Sequence, residues 1–242
     1  MPASVAEIAP DVFRISSFAP ELGIGFNQFL VRDEEPLLYH TGFRRMFPDT
    51  LAAVATLIDP AKLKWIGYSH FEPDECGALN EWLAVAPNAT PLASFVGANA
   101  MLSDYCDTPA RTLGADEKLQ TGSKRYSFIS TPHLPHGWDS SFLFEETGRT
   151  LFCSDLFFQP GETAPSTESD ILGLVGEVMK ASLAGPFAHD LPFTPQTESA
   201  LAQLAALKPQ TLAAMHGASY RGDGAKAIAD FSIVVREVLG SH

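Results

Sequence analysis

Residues 67–83 read GYSHFEPDECGALNEWL, and they set His70, Glu72 and Asp74 at every second position directly after the apolar run LKWIGYS. In extended chain, positions i, i+2 and i+4 point to one side, so the stretch offers an imidazole and two carboxylates to a common point. Pro73 disfavours the α region at Glu72 and keeps that residue extended. The run GALNEWLAV that follows reads as a helix.

Three further apolar segments end in the same way. RYSFIST leads into TPHLPHGWDSS with His133 and His136, TLFCS leads to Asp155, and TLAAM leads to His216. The chain holds seven histidines, and four of them fall at or just past these strand ends. Groups carried on strand ends are held by rigid elements and can converge at one edge of a sheet. Taken singly, each has a plainer reading. A strand-end histidine is usually exposed or satisfied, Asp155 suits a turn, and Glu72 and Asp74 suit a solvated loop. His133 and His136 compete for one place in the set.

The remaining pattern is of short strands first and single helices after. DVFRISS, IGFNQFLV and PLLYH read as strands, with DEEP as a turn. FPDTLAAVATLI reads as a helix capped by Asp49, with Leu51, Val54, Leu57 and Ile58 at helical spacing. TPLAS, SSFLFEE and RTLFCSD read as strands, the last two joined through Gly148. VGANAMLSDYC, SDILGLVGEVMKASL, TESALAQLAALK and GAKAIADFSIVVREVL read as helices. This order suits a sheet sandwich covered by helices better than a doubly wound sheet. No linker divides the chain, so one domain over residues 1–242 is expected.

Composition narrows the function. The formal net charge of −13 opposes nucleic acid and anionic membrane surfaces. No apolar run reaches the roughly 18 residues needed to span a bilayer. The N-terminus MPASVAEIAPDVFRI has neither a basic nor an apolar targeting region, so a cytoplasmic location is expected. Cys76, Cys106 and Cys153 are too widely spaced for a CxxC zinc site and read as buried thiols.

The H-x-E-x-D run, the later His, the Asp after a strand and the last His before Gly resemble the metallo-β-lactamase fold superfamily. FNQFLV followed by PLLYHTG resembles that fold's early hairpin and its D-T-G-like turn. Glu72 in the second position, with ISTPHLPHGWDSS, is similar to the diiron domain of flavodiiron proteins and to stand-alone oxygen-binding diiron proteins. The resemblance covers nearly the whole chain. It implies an α/β (α+β) fold, an αββα sandwich of two mixed β-sheets flanked by helices. It implies one iron at His70, Glu72 and His136, a second at Asp74 and His216, and Asp155 as the bridge. The family spacing matches HGWD and favours His136 over His133. A carboxylate in place of an imidazole makes such a site harder and more negative, which moves it from zinc toward iron or manganese. A bridging carboxylate suits two cations about 3.5 to 4 Å apart.

Two residues depart from the resembled pattern. Glu75 stands where the superfamily often has His, and reads either as a replacement ligand or as a group outside the ligand set. His40 stands where related domains usually carry Asp, and reads as a pocket or supporting group. Cys76 is expected to pack under the helix. The implied activity is a non-haem diiron protein that binds or reduces dioxygen or nitric oxide, in a sensing or oxidoreductase role. The 242 residues show no flavodoxin-like segment, no Gly-rich phosphate loop and no CxxC pair, so an external electron donor is expected. A homodimer is a further expectation of the resemblance. The alternative is a dinuclear zinc or manganese hydrolase, since fold does not fix function. Phe157 and Phe158, in FFQPGETAPSTESD, read as a screen over the site or as core, and Arg44 and Arg45 as a solvated patch or an anion or partner contact.

Overall fold

The N-terminal apolar runs pair into one sheet. In the computed structural model, which describes residues 2–240, Ser4–Ala9 (β1), Val12–Ala19 (β2), Ile24–Val31 (β3), Leu37–Tyr39 (β4), Trp65–Gly67 (β5) and Thr90–Leu92 (β6) lie side by side in chain order. The pairs from β1 to β4 are antiparallel, and β4, β5 and β6 are parallel. The second sheet takes Lys118–Gln120 (β7), Arg125–Ser130 (β8), Ser141–Glu145 (β9), Thr150–Phe152 (β10), Ser166–Thr167 (β11), Thr211–Ala213 (β12) and Ser219–Arg221 (β13). Its order is β11-β13-β12-β10-β9-β8-β7, again with both parallel and antiparallel pairs.

The sheets face each other across a shared core in which Phe29, Val31 and Tyr39 meet Phe128, Leu143 and Phe152. Helices Phe47–Ala55 (α1), Pro73–Cys76 (α2), Leu79–Val85 (α3) and Leu102–Tyr105 (α4) follow strands of the first sheet. On its outer side Leu30, Leu38 and Ile66 pack with Val54, Leu79 and Trp82. Val175–Ser182 (α5), Thr197–Ala206 (α6) and Gly224–Leu239 (α7) cover the second sheet, where Phe142, Leu151 and Leu212 pack with Leu201, Ile228 and Phe231. Strands covered on both faces lose the in–out alternation, which is why IGFNQFLV reads as almost continuously apolar. Helix α7 forms as its sequence implies. The Asp223 carboxylate accepts from the Lys226 N–H at 2.9 Å, and Ile228, Phe231, Val235 and Val238 place one apolar stripe on the core.

Several local expectations change. Asp49 does not cap α1; it lies inside the first turn behind Pro48, whose fixed φ suits a helix start. The run SDILGLVGEVMKASL is helical only from Val175, because Asp170 instead bonds the Leu172 N–H in a turn. Strands β1, β7, β11 and β13 are additional; three are only two or three residues long, and β1 is largely exposed, so pairing rather than apolar content defines them. The opening stretch is extended only as far as Glu72 (φ −134°, ψ 157°). Pro73 then starts α2, and Asp74 reaches the site from its first turn. Three groups alternating along one strand edge is therefore not the arrangement found.

Chain direction sets the site. Strands β8, β10 and β12 run the same way, as do β4 and β5. Their C-terminal ends lead to His136, Asp155, His216, His40 and His70. Among the described residues, no helix is long and apolar enough to cross a membrane.

Candidate metal centre

Asp155 is the middle of the arrangement. Its Oδ2 lies 3.4 Å from His70 Nε2 and 3.5 Å from His136 Nε2, while its Oδ1 lies 3.3 Å from His216 Nε2. Glu72 closes one side, with Oε1 3.1 Å from His136 Nε2 and Oε2 3.8 Å from His70 Nε2. Asp74 closes the other, with Oδ2 3.4 Å from His216 Nε2. The fold thus brings all six expected side chains together. His133 is not among them: it is exposed, on a backbone with φ +67°.

The donor set fits metal ions. His70 Nε2, His136 Nε2 and Asp155 Oδ1 are buried, yet none has a partner in hydrogen-bond geometry. Buried polar atoms are normally paired, so unpaired atoms converging on one point are an arrangement that a metal ion would satisfy. His70, Glu72 and His136 bring one ligand atom each within 4.8 Å of one another, and so do His70, Glu75 and Asp155.

Each imidazole is aimed by its other nitrogen. His216 Nδ1 is 2.9 Å from the Gly25 carbonyl oxygen and His136 Nδ1 is 2.7 Å from that of Asp190. A proton on Nδ1 in these two bonds leaves the Nε2 lone pair facing the centre. His70 Nδ1 lies 3.1 Å from the Ser69 hydroxyl and 3.3 Å from that of Ser154. The loop carrying His216 is pinned to β3 by Asn27, whose amide donates to the carbonyls of Ala214 and Gly217 at 2.9 Å each. None of these supports was anticipated. Their one sequence signal is the polar pair Asn27–Gln28 inside an otherwise apolar strand.

The charges respond to one another. Burial alone lowers His70, His136 and His216, but the neighbouring carboxylates outweigh it and lift them to about 9, about 9 and about 10. The neighbouring imidazoles of His136 and His70 hold Glu72 down at about 2. Burial raises Asp155, yet His216, His70 and His136 together bring it well below the usual carboxylate range. Without a cation the imidazoles therefore carry the protons that a metal would displace.

The two departures from the expected pattern meet each other. His40 Nε2 lies 2.5 Å from Glu75 Oε2, and both side chains are fully buried. Burial lowers His40 to about 3 and raises Glu75 well above its usual value, so the pair sits in the low-dielectric interior without net charge. His40 takes φ +65° to reach this position. Glu75 Oε1 also stands 4.0 Å from His70 Nδ1, behind the ring rather than at its Nε2.

The flanking residues divide by role. Phe157 turns into the core against Phe231 at 4.7 Å, while the Phe158 ring lies 5.4 Å from that of His216. Cys76 is buried, its thiol donating to the Glu72 carbonyl at 3.3 Å. Arg44 and Arg45 make exposed ion pairs with Glu81 and Glu21. A cavity of about 50 Å³ adjoins Asp155, between Phe158, Asp190 and Leu191. A larger one of about 360 Å³ lies on the Glu72 side, walled by Phe43, Phe71 and Tyr105.

A family model described as ODP family beta lactamase matches residues 24–217, most of the chain. The chain belongs to that family. The ODP-family chain is 27% identical over 206 residues to a rubredoxin-oxygen oxidoreductase of Megalodesulfovibrio gigas, covering 83% of this chain and 50% of the relative. It is 24% identical over 222 residues to a nitric oxide reductase of Moorella thermoacetica, covering 89% and 54%. The crystal structure of the flavodiiron protein from Giardia intestinalis matches it with a TM-score of 0.79 at 20% identity, over 97% of this chain and 60% of that one. The ODP-family chain thus spans about half the length of these two curated relatives. Its two mixed sheets flanked by helices are the metallo-β-lactamase-like fold of the flavodiiron core.

Proposed function

We propose that the protein holds two iron ions at this centre and binds or reduces dioxygen or nitric oxide there, with electrons from an external donor. His70, Glu72 and His136 would hold one ion, Asp74 and His216 the other, and Asp155 one oxygen to each. The observation that carries the reading is Asp155, whose two oxygens face two different sets of imidazoles at 3.3 to 3.5 Å. Bound ferrous ions supply electrons and open coordination positions to a small diatomic ligand. The names of the relatives, an oxygen oxidoreductase and a nitric oxide reductase, support this ligand class.

The chain's own residues do the positioning. The Gly25 and Asp190 carbonyls hold His216 and His136 with Nε2 inward. Glu72 makes its side oxygen-rich, which favours iron over zinc. Phe158 covers His216 and keeps water from that side. The cavity of about 50 Å³ beside Asp155 suits a diatomic molecule.

The test is metal analysis of protein purified without oxygen, then titration with O2. About two irons per chain and an absorbance change on aeration are expected. About two zincs per chain, together with turnover of a generic ester or phosphodiester, would replace this reading with the hydrolase.

A further inference from the structure

A second buried charge lies behind His216, and nothing in the metal centre uses it. Arg14 sits on β2 at register with Phe29, on the face turned toward the second sheet, and is only 4% exposed. One nitrogen, Nη2, donates to the Thr163 hydroxyl at 3.2 Å and to the Gly217 carbonyl at 3.1 Å. Nε is buried with no partner. Among the described residues no carboxylate lies within ion-pair distance of the guanidinium. A guanidinium presents five N–H donors in a fixed fork, and here two neutral oxygens engage a single nitrogen. Burying a charge without a counter-charge is costly. Burial lowers Arg14 to about 10, so it remains charged at neutral pH.

The space beside it is shaped for a ligand. A cavity of about 270 Å³ is walled by Arg14, the hydroxyl-bearing Ser4, Ser16 and Thr163, and Gly25, with Glu162 at the rim. Hydroxyls and a guanidinium with donors to spare are the donor set that recognises a planar or tetrahedral oxyanion. Glu162 is exposed and makes no ion pair with Arg14, so it is the chain's own competitor for the site.

We propose that this cavity binds a small oxyanion, a carboxylate or phosphate group, on the fork of Arg14. The site touches the metal centre through backbone alone. Gly25, which lines it, accepts the Nδ1 bond of His216, and Gly217, which follows His216, accepts the bond of Arg14. An anion drawn onto Arg14 therefore bears on the two backbone groups that hold His216 in place.

Calorimetric titration of the full chain as isolated, first with inorganic phosphate and then with acetate, tests the proposal without any redox readout. Saturable one-to-one binding is expected with at least one of the two, and the tighter one names the ligand class. Arg14→Lys keeps the charge and loses the fork, so affinity should fall about tenfold. Ser16→Ala and Thr163→Val leave Arg14 in place and should each weaken binding severalfold, which covers the case in which the Arg14 variant does not fold. Glu162→Gln should tighten it. Binding unchanged by all of the Arg14, Ser16 and Thr163 variants would place the anion elsewhere, at the metal centre above all, and overturn the proposal. Binding of neither anion overturns it, as does binding that appears only in Glu162→Gln, which would make the rim carboxylate the occupant. Since no iron is involved, failure here leaves the proposed diiron function standing.

Discussion

The two sides of Asp155 are built differently. On one side stand His70, His136 and Glu72, whose carboxylate is 46% exposed; on the other stand only His216 and Asp74, at 8% and 14%. The first side has three donors, and two of them, Glu72 and His136, meet solvent. The second has two donors, both well covered, under the Phe158 ring. The contrast teaches that residue type matters most where solvent reaches the site, and backbone anchoring matters most where it does not. Glu72 sets the chemistry of the open side, while Gly25 and Asn27 set the geometry of the closed one.

The sharpest way to break this comparison is to remove what the two sides share. Asp155→Ala should abolish loading of both ions, seen as metal content near zero after anaerobic reconstitution; retention of one ion would show that the sides are independent. Next in size, His216→Ala should lose the closed side alone and leave about one metal per chain. Glu72→His should leave the count unchanged but move preference from iron toward zinc in a competition experiment. If iron loading and the response to O2 are unaltered, Glu72 does not have the role given to it. Smaller still, Asn27→Ala leaves every proposed ligand in place and loosens the His216 loop, so affinity at the closed side should fall about 10- to 100-fold, the usual cost of losing a supporting partner. The same change should leave the open side untouched.

The gentlest probe is pH, applied to chelator-treated protein. His70, His136 and His216 stand at about 9, about 9 and about 10 in the fold, above the ordinary imidazole value of 6.5. Groups raised on folding stabilise fully below the unfolded value, and lose that contribution as pH rises through the folded one. Glu72, held at about 2 against an ordinary 4.5, contributes above about pH 4.5 and loses it as pH falls through 2. The melting temperature of the metal-free protein should therefore peak between about pH 4.5 and 6.5 and fall toward pH 10. Metal addition at pH 7 should release protons, measurable in weakly buffered solution, because the imidazoles must give them up.

The candidate site was legible to different depths. His70, Glu72, His136, Asp155 and His216 could be picked out because metal-capable groups at the ends of apolar runs are unusual in combination. The choice between His133 and His136 rested on the spacing of the resembled family, and the structure brings His136 near Asp155. Asp74 was found as a residue but placed on the wrong element, since Pro73 both ends the extended chain and begins a helix. His40 and Glu75 each looked like an isolated oddity. Their 2.5 Å contact joins the end of β4 to α2, and no local pattern encodes it. Arg14 was hidden for the same reason: within DVFRISS it looks like an exposed strand residue.

The sequence by itself determined which chemistry is available, because ligand type and strand-end position are local properties written in residue order. It also determined the layered fold, because hydrophobic runs of strand and helix period must bury their apolar faces against one another. Only the tertiary structure decided how those groups are used. Whether a carboxylate bridges, pairs with a buried imidazole or stays in solvent depends on what lies across the sheet from it. So does whether an arginine is solvated or left charged in the interior. Those neighbours come from distant parts of the chain, and burial sets the energy of each charge once they are assembled.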